Sequence, residues 1–179
     1  MLLDDATRAA LAARVESLRP VAAGVTWVAP ENLHVTLKFL GGVEQPRLEL
    51  VQAALARAVH GAAPFDLSVV GLGAFPSATR ARVVWAGVVA GRGELTGLAA
   101  SVEHELAPVG FPPEDRPFSP HVTLGRVREP RRNTELAAAF DREHAERFGV
   151  VRVDRLSLMR SDLSPRGARY SELSGHPLG

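Results

Sequence analysis

The sequence of 179 residues contains no cysteine, and only one of its 21 basic residues, Lys38, is a lysine. The lack of cysteine excludes disulfides, thiol nucleophiles and thiolate metal sites, and it favours a reducing compartment. No apolar stretch is long enough to span a membrane, and no basic segment precedes an apolar run at the start of the sequence. We therefore expect a soluble, cytoplasmic protein that makes no membrane contact.

An excess of charge of one sign is also missing, because 21 basic and 20 acidic residues leave a formal net charge of +1. A general attraction of the whole surface to nucleic acid is not expected, so any polyanion must be held by a local patch. Hydrophobic residues make up 46% of the chain, which is enough for a sizeable core. The length predicts one domain over residues 1–179, and an arrangement of two intertwined lobes also fits it.

Hydrophobic periodicity predicts helices that alternate with pairs of strands. The apolar spacing indicates four helices, at about 5–19, 46–60, 94–106 and 134–148. One continuous strand is expected at 150–159, then a loop and a last short strand at 168–173. Because helices alternate with strand pairs, the pattern indicates an α+β fold built on antiparallel sheets rather than a doubly wound parallel sheet.

The tetrapeptide HVTL occurs twice, beginning at His34 and again at His121. Alternation along a β-strand places His34 and Thr36 on one face, and it places the apolar neighbours, including Phe39, on the other. The same alternation puts His121 beside Thr123. A histidine and a threonine on an open strand face are common, so either copy alone fits plain surface. Two copies favour a shared cleft into which each strand presents an imidazole and a hydroxyl.

Two imidazoles suit in-line displacement at phosphorus, because one ring can take a proton from water while the other protonates the departing sugar oxygen. The hydroxyls of Thr36 and Thr123 can donate to the non-bridging oxygens. Arg126 lies just beyond the second motif and can offset the charge of a phosphate. Strict alternation puts Arg126 on the face away from His121, so its participation requires a β-bulge or the end of the strand.

The residues outside the two motifs show no second site. No spacing resembles a histidine metal-binding motif, and no glycine-rich loop precedes a Lys-Ser or Lys-Thr pair, so neither a metal nor a cofactor is expected. His176 is assigned to the C-terminal tail, and three histidines are interpreted as solvated surface: His60, His104 and His144. Four aromatic residues at strand positions are interpreted as core rather than as surfaces that stack on a base: Trp27, Phe39, Phe75 and Trp85.

At these residues the chain closely resembles the 2H phosphoesterase superfamily, which is named for two His-x-Thr-x motifs. Within it the chain is similar to the RNA 2',3'-cyclic phosphodiesterases, also called 2'-5' RNA ligases. The similar blocks cover nearly the whole chain: WVAPENLHVTLKFLG, GLGAFPSATRARVVWAG, FSPHVTLGRV and LSPRGARYSEL. The resemblance implies a bilobal α+β fold with pseudo-twofold symmetry, in which two antiparallel sheets line a central groove and the helices lie outside.

The resemblance also implies roles for the motif residues. His34 would donate a proton to the leaving oxygen, His121 would act as the base on water, and three residues would hold the phosphate: Thr36, Thr123 and Arg126. The expected reaction opens a terminal 2',3'-cyclic phosphate of RNA to a 2'-phosphomonoester without a metal. The resemblance also implies a reversible, ATP-independent 2'-5' joining of tRNA halves. The expected partner is RNA with 2',3'-cyclic phosphate ends, and the protein is expected to be a monomer.

Two other functions fit the same residues. The chain can be a non-catalytic protein that binds RNA ends, or a phosphodiesterase that acts on 2'-5' oligonucleotides or small cyclic nucleotides. Intact motifs favour an enzyme over a binding protein, because gripping a phosphate needs donors but not two groups that exchange protons. One departure from the family is expected to matter: only three residues precede Asp4, where relatives usually have a full strand.

Overall fold

The structure is a computed structural model that describes residues 1–130, 132–142, 144–164 and 167–179. Its helices are α1 (Asp5–Leu18), α2 (Leu48–Ala58), α3 (Arg92–Leu106) and α4 (Thr134–Arg142). Its strands are β1 (Val25–Trp27), β2 (Phe65–Phe75), β3 (Val83–Val88), β4 (His121–Val127), β5 (Arg147–Val153), β6 (Arg155–Ser164) and β7 (Gly167–Pro177). Part of the loop predicted between the last two strands, residues 165–166, lies outside the described residues.

In the part of the chain that the structure describes, the strands form a five-stranded sheet and a separate hairpin. The order in the sheet is β1-β4-β3-β2-β5, and the hairpin consists of β6 and β7. Every strand pair is antiparallel. The prediction of an α+β fold built on antiparallel sheets is therefore confirmed.

Helix α1 begins and ends where the sequence predicts. Asp4 caps its first turn by accepting a hydrogen bond of 2.8 Å from the Thr7 amide, and the helix ends before Pro20, which has no amide hydrogen to donate. Its apolar face packs against β5, and the two elements approach so closely that a Cβ atom at Gly149 would collide with the Thr7 hydroxyl. The residues buried along this face are Leu11, Val15 and Leu18.

Helices α2 and α3 pack against each other, and each buries the apolar face that its spacing predicts. The buried residues are Val51, Ala54, Leu55 and Ala58 in α2, and Leu95, Leu98, Ala99, Val102 and Leu106 in α3. Ser101 joins the pair by donating a hydrogen bond of 2.8 Å to the Ala58 carbonyl. A short 3-10 turn, Gln45–Arg47, leads into α2 and accommodates Pro46.

The fourth helix is shorter than the sequence predicts. It ends at Arg142 instead of about residue 148, and Phe148 lies in β5, where it is buried. The spacing of Phe140 and Phe148 fits one helical face, but the apolar residues of 147–153 also alternate as a strand does. Pairing with β2 satisfies the backbone of this segment, and that tertiary contact outweighs the helical spacing.

The strand predicted at 150–159 is two strands, which break at Asp154. Val153 and Leu156 are buried whereas Asp154 and Arg155 are both exposed, so the alternation restarts at this point. The chain leaves the five-stranded sheet here and enters the hairpin. Its second strand, β7, extends to Pro177, so His176 is a buried strand residue and its assignment to the tail is wrong.

The first HVTL segment is not the regular strand that the sequence predicts. His34 forms a single antiparallel bridge with Leu2, and Val35 forms a single antiparallel bridge with Val122. Because successive residues pair with different neighbours, the extended chain never builds a ladder on either side. The segment ahead of α1 likewise supplies one bridge rather than a strand, with the Val35 amide donating a hydrogen bond of 3.0 Å to the Met1 carbonyl.

Candidate active site

The two HVTL motifs meet at their valines. Val35 and Val122 pair directly, and both side chains are completely buried. Residues that oppose each other in an antiparallel bridge present their side chains to the same side, and their chain neighbours point to the other. The bridge therefore turns the two histidines and the two threonines away from the core and onto one shared face: His34, Thr36, His121 and Thr123.

The second motif lies in the interior of the five-stranded sheet, and a β-bulge there decides where Arg126 points. Thr123 pairs with Trp85 and Arg126 pairs with Val83, so β4 has one residue more than β3 between these pairs. The extra residue is accommodated where Leu124 and the glycine after it are both buried. Since Val83 and Trp85 share one face of β3, Arg126 lies on the same face as Thr123.

Alternation alone puts Arg126 on the face away from His121, and its participation required a β-bulge or the end of the strand. The bulge between β3 and β4 meets this condition. Arg126 is exposed, and among the described residues no carboxylate lies within ion-pair distance of its guanidinium. A cation without an internal partner is available to an anion on this face.

Both imidazoles are held by the same local hydrogen bond. His34 Nδ1 lies 2.6 Å from the Asn32 carbonyl oxygen, and His121 Nδ1 lies 2.6 Å from the Ser119 carbonyl oxygen. A carbonyl only accepts, so each Nδ1 carries a proton and donates it. In both neutral rings the basic nitrogen is then Nε2, which is the atom left for proton transfer.

The environment of the first imidazole favours its neutral form. Burial lowers the pKa of His34 from its ordinary 6.5, the hydrogen bond to the Asn32 carbonyl opposes this, and the charge of the Met1 amino group adds to the lowering. Thr36 Oγ1 lies 2.9 Å from His34 Nε2, so the threonine hydroxyl donates to the neutral ring. The corresponding Nδ1 bond of His121 is exposed to solvent.

Each imidazole also lies against one aromatic ring. Between ring centroids, Tyr170 of β7 is 5.0 Å from His34 at 63°, and Phe75 of β2 is 5.2 Å from His121 at 81°. Phe75 in turn lies 5.3 Å from Trp85, which shares the face of Thr123, so interpreting these two residues as core was wrong. Tyr170 is the only tyrosine in the chain, and no local pattern in the sequence connects it with the first motif.

Two glycines make room for the indole of Trp85. A Cβ atom at Gly73, which is paired with Trp85 across β2 and β3, would collide with the indole ring. At Gly87, a Cβ atom would lie 2.9 Å from the Val70 carbonyl oxygen and 3.4 Å from the indole. The indole thus lies low over the sheet and supports Phe75 beside the second histidine.

Beyond the first motif the predicted alternation is inverted. The side chain of Lys38 is only 4% exposed, and its Nζ donates to Glu103 Oε2 at 2.6 Å and to the Pro112 carbonyl at 2.8 Å. Because Lys38 takes the inward position, Phe39 is turned outward and is 67% exposed, so the prediction that it belongs to the core is wrong. Trp27 is half-buried and packs against the core.

The remaining histidines lie as the sequence predicts, since each is exposed: His60, His104 and His144. Within the described ranges, no three side chains of His, Asp or Glu come close enough together to hold a metal ion. No helix in the described part of the chain has both the length and the apolar character needed to cross a membrane.

Two His-x-Thr pairs that share one face, each with its histidine Nδ1 bound to a backbone carbonyl, are typical of a two-histidine phosphoesterase. The chain belongs to the 2'-5' RNA ligase superfamily, whose family model matches residues 7–165. It is 40% identical over 171 residues to the RNA 2',3'-cyclic phosphodiesterase of Archaeoglobus fulgidus, covering 96% of this chain and 93% of that protein. It is 36% identical to the protein of the same name from Methanothermobacter thermautotrophicus, covering 96% and 92% of the two chains.

Solved structures give the same result. A crystal structure of a Thermus thermophilus protein matches with a TM-score of 0.76 and 34% identity, over 98% of this chain and 93% of the other. The crystal structure of E. coli LigT complexed with 3'-AMP matches with a TM-score of 0.75 and 25% identity, over 99% and 94%. The predicted family and the predicted bilobal fold are confirmed. The roles of the individual residues stay predictions.

Proposed function

We propose that this protein hydrolyses the terminal 2',3'-cyclic phosphate of RNA to a 2'-phosphomonoester by acid–base catalysis between His34 and His121. The observation that carries the proposal is the bridge between Val35 and Val122, which brings the two His-x-Thr pairs onto one face. Relatives that match nearly the whole chain are named RNA 2',3'-cyclic phosphodiesterase, and this supports the choice of substrate.

In the proposed reaction His121 removes a proton from a water molecule, whose oxygen forms the new bond to phosphorus. The bond from phosphorus to ribose O3' breaks in line with this attack, and His34 gives its proton to O3'. The phosphate stays on O2', and the two histidines have exchanged protonation states. The hydroxyls of Thr36 and Thr123 donate to the non-bridging oxygens, and Arg126 offsets their charge.

The decisive experiment uses a short RNA that ends in a 2',3'-cyclic phosphate, incubated with the protein in the presence of EDTA. Phosphorus NMR identifies the product, which we expect to be a 2'-monophosphate. A 3'-monophosphate would contradict the proposed bond cleavage. Binding of the RNA without turnover would contradict catalysis and favour the RNA-end binding function.

The assignment of acid and base rests on family resemblance, and a modified substrate tests it. If sulfur replaces the bridging O3', the leaving group no longer needs a proton. We expect this substrate to rescue His34→Ala but not His121→Ala, because only the base is still required. Rescue of His121→Ala instead would reverse the two roles.

The proposed acid has a lowered pKa in the free protein, and a bound cyclic phosphate should reverse this. Its negative charge favours the imidazolium form of His34. We therefore expect the alkaline limb of kcat/KM, which reports the free enzyme, to fall at a lower pH than the alkaline limb of kcat, which reports the complex. Steady-state rates between about pH 5 and pH 9 test this, and coincident limbs would contradict it.

Three finer features belong to the same proposal. We expect the protein to act as a monomer in the cytoplasm, and we expect tRNA halves to be joined 2'-5' when the 5'-hydroxyl of one half attacks the cyclic phosphate in place of water and O3' leaves with the proton that His34 gives. Incubating matched tRNA halves without ATP, then probing the junction with a 3'-5'-specific nuclease, tests the ligation. Sedimentation across a range of protein concentrations tests the oligomeric state.

A further inference from the structure

The correspondence between the two motifs extends beyond the HVTL tetrapeptides to the aromatic rings beside them. Tyr170 and Phe75 belong to different strands and different sheets, yet each lies edge-on to one motif histidine at nearly the same centroid distance, 5.0 and 5.2 Å. Edge-to-face packing at such distances is a preferred arrangement of aromatic rings. The repeated unit is therefore a histidine, a carbonyl two residues earlier and one aromatic ring.

The carbonyl and the ring constrain different motions of the imidazole. The hydrogen bond from Nδ1 fixes the tautomer and anchors one atom, but the last side-chain torsion of histidine is intrinsically broad. A ring packed edge-on against the imidazole blocks rotation out of its plane. Without that ring, Nε2 can swing away from the line along which a proton must pass.

We propose that Tyr170 and Phe75 are a matched pair of positioning residues, each of which holds one motif imidazole in the plane that proton transfer requires. The proposal rests on the cyclic phosphodiesterase function proposed above. Phe75 has no polar side-chain atom, so its contribution comes from the ring alone. Because Tyr170 repeats its geometry, the ring rather than the hydroxyl is the active part there too.

The two rings are supported differently. Phe75 lies against Trp85, and the indole fits over Gly73 within the five-stranded sheet. Tyr170 projects from the hairpin, which is tied to the first motif by a hydrogen bond of 2.8 Å from Asn32 Nδ2 to the Ala168 carbonyl. Asn32 also supplies the carbonyl that binds His34 Nδ1, so one residue connects the imidazole with the strand that carries its ring.

The groups around His34 show what removal of the ring should do. The imidazole contacts the Thr36 hydroxyl, the Asn32 carbonyl and the Tyr170 ring. It is also influenced by the Met1 amino group, whose own pKa burial lowers from 8.0 to about 6. Burial is the largest influence on the protonation of His34. Truncation of Tyr170 admits water to one side of the ring, so the histidine should titrate at a higher pH.

The test compares truncated and conservative variants at both positions. We expect Tyr170→Ala and Phe75→Ala to lower kcat by roughly ten- to a hundredfold with little change in KM, since a small misplacement of a reacting group costs on this order. Tyr170→Phe and Phe75→Tyr should keep kcat within about threefold of the wild type, because both retain the ring. If Tyr170→Phe loses as much as Tyr170→Ala, the hydroxyl is the active part and the proposal is wrong.

The matched control is Phe65→Ala, which removes a half-buried phenylalanine from β2, the strand that carries Phe75, at a position packed against the core. Its kcat should stay close to that of the wild type once the protein is folded. If Phe65→Ala lowers kcat as much as Phe75→Ala does, the loss comes from lower stability rather than from the position of the imidazole, and the proposal is overturned. Where an alanine variant does not fold, a leucine variant at the same position replaces it. Leucine fills a similar apolar volume but has no flat aromatic ring, so kcat should still be lowered.

Proton NMR titration of the histidine ring hydrogens separates this proposal from the proposed function. In the substrate-free protein, Tyr170→Ala should raise the titration midpoint of His34, whereas Phe75→Ala should leave it in place. This result is expected even if the wild type does not hydrolyse the cyclic phosphate. Conversely, a wild type that hydrolyses the RNA, with an unchanged His34 midpoint and unchanged kcat in Tyr170→Ala, would overturn the positioning role alone.

Discussion

The two HVTL segments share a sequence but sit in different backbone settings. The second lies in β4, between β1 and β3 in the interior of the five-stranded sheet. The first is extended chain held by one bridge on each side. Both nevertheless bind Nδ1 through a carbonyl two residues earlier, and both place one aromatic ring against the imidazole. The comparison indicates that one carbonyl and one aromatic ring orient each imidazole. The pairing of the strand that carries the histidine can then differ between the two motifs.

The settings also differ in polarity. Burial lowers the pKa of His34, and a threonine hydroxyl occupies its Nε2, whereas the Nδ1 bond of His121 is exposed. The two motif histidines therefore have matched contacts at Nδ1 and unmatched exposure to solvent.

Removing either imidazole should have the largest effect on kcat. Both variants should lose activity to a similar extent, although the two motifs differ in backbone setting. We expect His34→Ala and His121→Ala each to lower kcat by about 10²- to 10⁴-fold, the usual contribution of a positioned acid or base. Rates on RNA with a cyclic phosphate end, with circular dichroism to check folding, measure this. His104→Ala, an exposed histidine on α3, is the control and should be fully active. Normal turnover by either motif variant would refute two-histidine catalysis.

Substitution of the two threonines should have smaller effects that differ between the motifs. We expect Thr123→Val to lower kcat by about 10²-fold through loss of a donor to the phosphate. Thr36→Val should lower kcat on the same order and should also move the titration of His34, because its hydroxyl donates to Nε2. Steady-state rates and NMR titration of the histidines distinguish the two effects. If His34 titrates equally in Thr36→Val and in the wild type, the hydrogen bond from Thr36 does not influence its protonation in solution.

A change beneath the second motif tests how far its sheet supports it. Gly73→Ala places a Cβ atom against the Trp85 indole, and overpacking of this kind costs about 1–3 kcal/mol in the free energy of unfolding. Gly97→Ala in α3 meets no atom within 4 Å and should stabilise the helix by about 0.5–1 kcal/mol. Urea unfolding measures both changes. A neutral Gly73→Ala variant would mean that the indole is not fixed over the sheet.

The smallest expected effect concerns stability against pH. Burial lowers the pKa of both His34 and His176 below 6.5, so the unfolded chain binds more protons than the folded one just below that pH. The stability that depends on these two histidines is therefore fully present above about pH 7 and is lost as the pH falls through their folded pKa values. His176→Asn should reduce this loss relative to the exposed control His60→Asn, as measured by urea unfolding at about pH 5 and about pH 7. The same slope in both variants would contradict a role for His176.

Much of the fold follows from local patterns in the sequence. Helix α1 has its cap at Asp4, its apolar spacing and the proline that ends it within one short segment, so its boundaries are predicted closely. The segment 134–148 shows the limit, since its spacing fits a helix while pairing with β2 converts its end into β5. Local propensity is a weak preference that a sheet contact overrides.

The candidate site divides in the same way. The histidines and threonines are found from the repeated motif, because residue type and alternation are local properties. The face of Arg126 depends on a bulge between β3 and β4, and the outward turn of Phe39 depends on a contact of Lys38 with α3. The role of Tyr170 is harder still to predict from the sequence, because only the folded hairpin brings this residue to His34. These positions are set by contacts between segments that are distant in the sequence.

The bridge between Val35 and Val122 has a mechanical consequence. If the chain around one motif tilts relative to the chain around the other about this pair, displacement grows with distance from the pivot. The imidazoles belong to the residues next to the pivot, so the gap between them changes less than the gap between groups farther away. The spacing of the two imidazoles is then the part of the shared face that such a tilt disturbs least.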